Sequence, residues 1–455
     1  MVSHFEGHWA SPKRIFIDCT DTYNNGMNTG IQRVVRNIAN NCASLGENLG
    51  ITCQPVILVG NNYSAISTID HRGVRQSKFA LRSAVNRGYF LFVQRLATAL
   101  PHAWQRFLTG NKHEASLARV ISFMFLPLLW VMRKTRRAAA FSSPAVQFGV
   151  GDILLLADCV WNYSPWAAVH SARSAGAAVA AVVYDIIPAT HGQFFAASSR
   201  ERFLAALPLL FESSDTFICI STYTKTQLHS YFAAQPYSQT LATKKFSTFT
   251  LGVELDTIEF RGSIREKILS VFSLDRSVYL VVGTLEPRKN HAYLLEVFQA
   301  LWREGSTAAL LIVGRIGWMC EEILDAIQRH HRAGRQLFFM DDVTDTELDY
   351  CYTHARALLF PAMVEGFGLP MIEALKNGLP VFASDIPVFR EVGGEYATYF
   401  DPVNPSSLKD LLQTYESTGV YPALLPDGFS WPDWSQSTEE LLTQLAALAS
   451  FEEVA

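Results

Sequence analysis

Short apolar runs alternate with longer amphipathic stretches along this chain, and the alternation comes in two series. In the first, residues 14–18 (Arg-Ile-Phe-Ile-Asp) read as a strand, 30–41 as a helix and 55–59 (Pro-Val-Ile-Leu-Val) as a second strand. Strand-like runs resume at 152–157, 178–184 and 216–220, with Ala-rich helical stretches at 166–176 and 198–211. The second series opens at 278–282 (Val-Tyr-Leu-Val-Val) and continues at 309–313, 336–340, 357–360 and 380–383. Buried strands separated by helices form parallel sheets. The pattern therefore predicts an α/β protein of two Rossmann-like, doubly wound domains facing one another across a cleft. Residues 251–277 have mixed polarity and no strand pattern, which places the join there and gives domains of 1–260 and 261–434. Leu441, Leu442, Leu445 and Leu448 recur at helical spacing, so 435–455 is expected to be a helix that packs back on the first domain. Ligands of such folds lie at the carboxyl ends of the strands.

A length of 455 residues fits two large domains, and 49% hydrophobic against 18% charged residues excludes a disordered chain. A net charge of −4 argues against a nucleic-acid partner, which needs a broad basic surface. The charge is unevenly spread, however. Residues 61–150 hold thirteen Lys and Arg against Asp70 and Glu114, a balance of +11. The same segment contains the twelve-residue apolar run 121–132, followed at once by Arg133, Lys134, Arg136 and Arg137. Twelve residues cannot span a bilayer but suit a segment lying in the interface with basic anchors, so an anionic membrane surface is an expected partner. A buried helical insertion with a solvated basic face is the alternative. The seven cysteines (Cys19, Cys42, Cys53, Cys159, Cys219, Cys320, Cys351) are scattered and none forms a CxxC pair, so neither a disulfide framework nor a zinc cage is expected. Residues 1–14 have no signal-peptide core, and the expected location is cytoplasmic, peripheral on the inner face of the membrane.

Two loops carry the chemistry. Phe360-Pro-Ala-Met-Val-Glu365-Gly366-Phe367-Gly368-Leu369-Pro370-Met-Ile-Glu373-Ala374 reads as a buried strand, a Gly-rich loop and a helix opened by Pro370 and ended by Gly378. The free N–H groups and dipole at such a helix start attract phosphate, and Gly366 and Gly368 permit close approach of backbone to a ligand. Glu365 and Glu373, eight residues apart, can reach opposite ends of an elongated ligand and accept from vicinal hydroxyls. The other loop, Gly283-Thr284-Leu285-Glu286-Pro287-Arg288-Lys289-Asn290, sets two cations directly before a helix whose expected cap is Asn290. A basic pair at the carboxyl end of a buried strand is placed to neutralise a diphosphate.

Together these motifs resemble the retaining GT-B glycosyltransferases of family four, which use nucleotide sugars. The similarity spans nearly the whole chain and is strongest over 278–402. Asn28-Thr29-Gly30-Ile31-Gln32-Arg33 is similar to the family's glycine turn, Ser221-Thr222-Tyr223-Thr224-Lys225 to its Ser-x-x-(Ser/Thr)-Lys helix start, and Leu251-Gly252-Val253 to its pre-linker turn. The resemblance is nearest to bacterial mannosyl- and rhamnosyltransferases of surface-polysaccharide assembly. It implies that Thr284, Arg288 and Lys289 line the donor diphosphate, that Glu373 binds the ribose hydroxyls and that Glu365 sits beside the donor hexose. It also implies that Gly366, Phe367, Gly368 and Leu369 hold sugar and phosphate through backbone N–H groups, and that Gly30 closes over the phosphates. Glu365, Arg288, Lys289 and Asp185 would be the catalytic set. One position departs from the pattern: the family's His-Asp pair is Tyr184-Asp185 here, and a phenol does not replace imidazole at neutral pH. His191, seven residues on, reads as a surface histidine rather than a substitute.

The implied reaction moves a hexose, mannose from GDP-mannose foremost, from a nucleotide sugar to a saccharide on a polyprenyl diphosphate lipid. The leaving diphosphate gains charge that Arg288 and Lys289 stabilise. The chain contains no Asp-x-Asp, so no metal and no cofactor is expected. The alternatives are a non-hydrolysing nucleotide-sugar epimerase and a non-enzymatic membrane-surface scaffold that kept a sugar-binding cleft.

Overall fold

A computed structural model describes residues 14–25, 29–69, 144–253, 263–273, 275–425 and 428–449. Most of the basic segment 61–150, including the apolar run 121–132 and its four flanking cations, lies outside the described residues, as does Asn28.

The first sheet has the order β3-β2-β1-β4-β5-β6-β7, with strands β1 Arg14–Asp18, β2 Thr52–Val59, β3 Asn62–Ala65, β4 Asp152–Leu156, β5 Ala178–Val183, β6 Thr216–Cys219 and β7 Lys245–Thr248. The second has the order β10-β9-β8-β11-β12-β13, with β8 Val278–Val282, β9 Ala309–Val313, β10 Leu337–Met340, β11 Ala357–Phe360, β12 Val381–Ser384 and β13 Ala397–Phe400. Each sheet is covered by helices on both faces. β4 and β9 are therefore buried along their whole length, which is why their sequences, DILLL and ALLIV, show no alternation.

Three strands escape the apolar pattern: β3, β7 and β13. The first corrects the expectation of a purely parallel sheet. β3 pairs antiparallel with β2 in a hairpin turned by Gly60, at φ +64°, and Tyr63 is its one large apolar side chain. The helix predicted at 30–41 runs on to Gly30–Asn48, and Asn290 corrects another expectation. It occupies the cap position of the helix His291–Arg303 in a left-handed conformation, but its side chain donates to the Pro402 carbonyl at 3.0 Å instead of capping.

The two sheets are reversed about a switch point, β1/β4 in the first and β8/β11 in the second, where adjacent strands send their connections to opposite faces. The loops after β8 and β11 are the two motif loops, so topology alone brings Arg288 and Lys289 beside Glu365. The helix Trp434–Ala449 crosses back and packs along Gly30–Asn48 with Leu441, Leu442 and Leu445 fully buried. Where it crosses, the chain lies beside the outgoing connection. Val253 N–H donates to the Pro432 carbonyl at 3.0 Å, Trp431 Nε1 to the Leu251 carbonyl at 2.8 Å and Ser437 Oγ to the Thr250 carbonyl at 2.6 Å. Among the described residues no helix is long and apolar enough to cross a membrane.

Candidate active site

The segment Pro287–Lys289 is a single 3-10 turn, and it turns both cations toward the loop after β11. Arg288 makes two ion pairs at 2.7 Å, one with Glu286 and one with Glu365; Lys289 pairs with the other oxygen of Glu365 and lies over the Phe360 ring. The Met363 N–H donates to the Arg288 carbonyl at 2.8 Å, which fastens the two loops to each other. Burial alone would raise the Glu365 carboxyl, but Arg288 and Lys289 hold it below its ordinary range. Burial wins at Glu286 and Asp185, whose carboxyls are both pushed up against the pull of Arg288. His291, at the start of the following helix, is pushed down to about 3 by burial and by Lys289, so it is neutral.

Gly368 stands at the cap of the helix Leu369–Lys376 with φ +119°, a conformation in which a side chain is strained. The backbone N–H groups of Phe367, Gly368 and Leu369 donate no hydrogen bond among the described residues. The helix start thus presents a row of free donors to the cleft. Gly366 is required for a different reason from the one the sequence suggests. A Cβ there would sit 2.1 Å from the Tyr184 carbonyl oxygen, so what approaches this glycine is the backbone of the first domain. Ser221 Oγ at 2.8 Å and Thr224 Oγ1 at 3.2 Å both donate to the Gly366 carbonyl. Ser221 also caps its own helix, Thr222–Ala233, through the Thr224 N–H, and Glu391 accepts from the first two N–H groups of that helix. The Ser-x-x-Thr motif is therefore a clasp between the domains.

Asp185 faces this junction and accepts from the Ile187 N–H at 2.9 Å. Tyr184 turns away: its hydroxyl donates to the Ala157 carbonyl at 2.7 Å, and burial drives its ionisation well above the ordinary range. His191 hydrogen-bonds Thr190 and stacks on Phe194 at the surface. Gly30 opens its helix into free space, since a Cβ added there would meet no heavy atom within 4 Å, and Thr284 lies half-buried below Gly317. Glu373 is buried, and both its oxygens are engaged: Tyr352 Oη donates to Oε2 at 2.7 Å, and Arg33, from the first domain, pairs with Oε1. The structure thus separates the two glutamates into two clusters, Glu365 with the cations and Glu373 with Arg33 and Tyr352.

Sequence reasoning gave no role to Glu286, Tyr352 or Arg33, although Glu286 stands inside the cationic loop and Arg33 inside the glycine turn. It also missed a buried acidic cluster at the switch point of the first sheet. Asp18 accepts from Tyr63 and Tyr163, each at 2.8 Å; Asp158 accepts from the Thr22 and Cys159 N–H groups at 2.6 and 2.9 Å. Burial pushes Asp158 up to about 7. Ligand-type atoms of Asp21, Asp158 and Cys159 lie within 4.8 Å of one another, but the Asp158 oxygens are already held by backbone. All seven cysteines are buried thiols.

Residues 265–420 match the family model of glycosyl transferases group 1. The carboxyl-terminal domain is a group 1 glycosyltransferase domain. Across 314 residues, 67% of this chain, the protein is 33% identical to the serotype-specific mannosyltransferase WbdA of Escherichia coli, and it covers 38% of that relative's length. It is 31% identical over 153 residues to the O-antigen chain mannosyltransferase RfbU of Salmonella typhimurium, covering 33% of this chain and 40% of the relative. The chain therefore spans well under half the length of the curated relatives it matches. Among solved structures, sucrose-phosphate synthase of Thermosynechococcus elongatus superposes with a TM-score of 0.51 at 14% identity over 97% of both chains. Anabaena Alr3699/HepE, solved with UDP and glucose, does so with a TM-score of 0.52 at 12% identity over 96% of this chain and 97% of its own. At such identities the likeness concerns the fold, and the fold is GT-B.

Proposed function

We propose that this protein is a retaining, metal-independent hexosyltransferase of family four that moves mannose from GDP-mannose to a saccharide on a polyprenyl diphosphate lipid, in O-antigen-type assembly. The observation that carries this reading is the junction of the two motif loops. Arg288 and Lys289 stand beside Glu365, and the free N–H groups of residues 367–369 open toward the same cleft. That arrangement suits a donor whose diphosphate gains charge as the glycosidic bond breaks. Two cations and a helix start stabilise the leaving group, while Glu365 orients the hexose and Glu373 the ribose. Asp185, on the facing domain, completes the catalytic set. The names of the WbdA and RfbU relatives support mannose as the sugar and O-antigen chains as the product.

The acceptor side of the reading places the enzyme in the cytoplasm, on the inner face of the membrane, with the basic segment 61–150 as its contact. The test is incubation with GDP-, UDP- and dTDP-sugars and a polyprenyl-diphosphate-linked saccharide, with the product anomer read by NMR. Transfer from GDP-mannose with the α configuration kept is the expected result. Transfer from none of the donors, or release of an epimerised product without acceptor, overturns the proposal.

A further inference from the structure

We propose that Arg33 is a positioning residue that couples recognition of the donor ribose by Glu373 to closure of the cleft; the proposal rests on the donor reading above. Glu373 lies on the helix Leu369–Lys376 of the second domain and is 3% exposed. Its carboxylate has about four lone-pair sites, two on each oxygen. Tyr352 Oη takes one on Oε2 and Arg33 takes one on Oε1, so each oxygen keeps one site, the number a pair of vicinal hydroxyls requires. Tyr352 belongs to the same domain as Glu373, whereas Arg33 reaches it from the first turn of Gly30–Asn48 in the other domain.

A buried carboxylate held only for stability is a poor device, because desolvation offsets most of what the ion pair contributes. The placing of this one has a different logic. Arg33 is one turn beyond Gly30, and Glu373 is one turn beyond Gly368, so each partner follows a loop that lines the cleft. When the domains part, Arg33 leaves with the first domain and Glu373 retains Tyr352 alone. The carboxylate then loses both its counter-charge and the contact that fixes its second oxygen. A ribose that requires Glu373 oriented binds the closed form better than the open one, and by linkage it shifts the molecule toward closure. Arginine suits this task because its planar fork holds direction as well as charge.

The test uses the full chain and the variants Arg33→Gln and Arg33→Lys. Calorimetry gives affinities for GDP, 2′-deoxy-GDP and inorganic pyrophosphate, and small-angle scattering gives the radius of gyration with and without GDP. Arg33→Gln is expected to bind GDP about tenfold more weakly, the scale of one charge-assisted hydrogen bond. In that variant the preference for GDP over 2′-deoxy-GDP collapses, pyrophosphate affinity is retained, and GDP no longer compacts the protein; Arg33→Lys recovers part of each. Wild-type GDP affinity and compaction in Arg33→Gln overturn the proposal. So does an equal loss for all three probes, which would make Arg33 a phosphate ligand or a structural strut. A wild-type protein that binds GDP no better than pyrophosphate overturns the donor reading itself, and the ribose role of Glu373 with it.

Discussion

Replacing Gly366 with alanine tests whether the two domains must touch for the reaction to run. The added methyl would lie 2.1 Å from the Tyr184 carbonyl oxygen and 3.0 Å from the Asp185 Cβ. An ordinary carbon–oxygen contact is about 3.3 Å, so the two backbones must separate by roughly 1.2 Å. Neither side yields easily. Tyr184 directly follows the buried strand β5 and is pinned through its hydroxyl to Ala157, while Gly366 precedes a turn in which Gly368 is fixed at φ +119°. Relief therefore comes from opening the cleft, which also lengthens the bonds from Ser221 and Thr224 to the Gly366 carbonyl. A misplacement of about 1 Å between reacting groups costs on the order of 10²-fold in rate. Gly366→Ala should accordingly lower kcat about a hundredfold. Its affinity for GDP should fall no further than loss of the Arg33 contact accounts for, about tenfold. Steady-state kinetics with calorimetry separate the two effects, and scattering should find the variant more open. A kcat within about threefold of wild type would refute the reasoning, because the observed contact would then not belong to the reactive state.

Removal of the leaving-group cations in Arg288→Ala and Lys289→Ala should each cut kcat by about 10²-fold, and wild-type activity should survive EDTA; loss in EDTA with recovery on magnesium would contradict the metal-free reading. Asp158 carries a folded-state pKa near 7, above its unfolded value near 4. Its contribution to stability is therefore full below about pH 4 and is lost as pH rises through about 7, so Asp158→Asn should flatten the fall of Tm between those values. An unchanged slope would remove Asp158 as its source. Joint replacement of Arg133, Lys134, Arg136 and Arg137 by serine should abolish pelleting with anionic vesicles and leave pelleting with neutral ones unaltered. Identical behaviour of both proteins on both lipids would make the segment 61–150 an ordinary insertion.

Strands such as 309–313 and 357–360 were legible because they are buried along their whole length, where an unbroken apolar run is itself the signal. β3 and β7 were illegible because a four-residue edge strand has little to bury: Asn62–Ala65 and Lys245–Thr248 each offer one aromatic among polar neighbours. The site divides in the same way. Arg288, Lys289 and Glu365 were legible because each follows a strand at the switch point, so local sequence already determines where it stands. Arg33, which pairs with Glu373, and the Tyr184 carbonyl, which meets Gly366, were not, because both come from the other domain. Arg33 is 340 residues from Glu373, a separation across which periodicity carries no information. Gly366 illustrates the limit well: its need for a bare backbone was readable, but the carbonyl that imposes it was not.

The polypeptide passes between the domains twice, outward near residues 249–253 and back near 431–437, and the two passages are hydrogen-bonded side by side. A single tether would leave the halves free to swivel about three axes. Paired crossings fastened to each other act as a door hinge, confining relative movement to rotation about the line on which they lie. Leu251 and Trp431, on that line, then barely shift, and Lys376, one turn beyond Glu373, is held beside it by donating to the Val253 carbonyl at 2.7 Å. Opening becomes a one-dimensional coordinate, and a substrate gripping both leaves at the free edge has the greatest leverage over it.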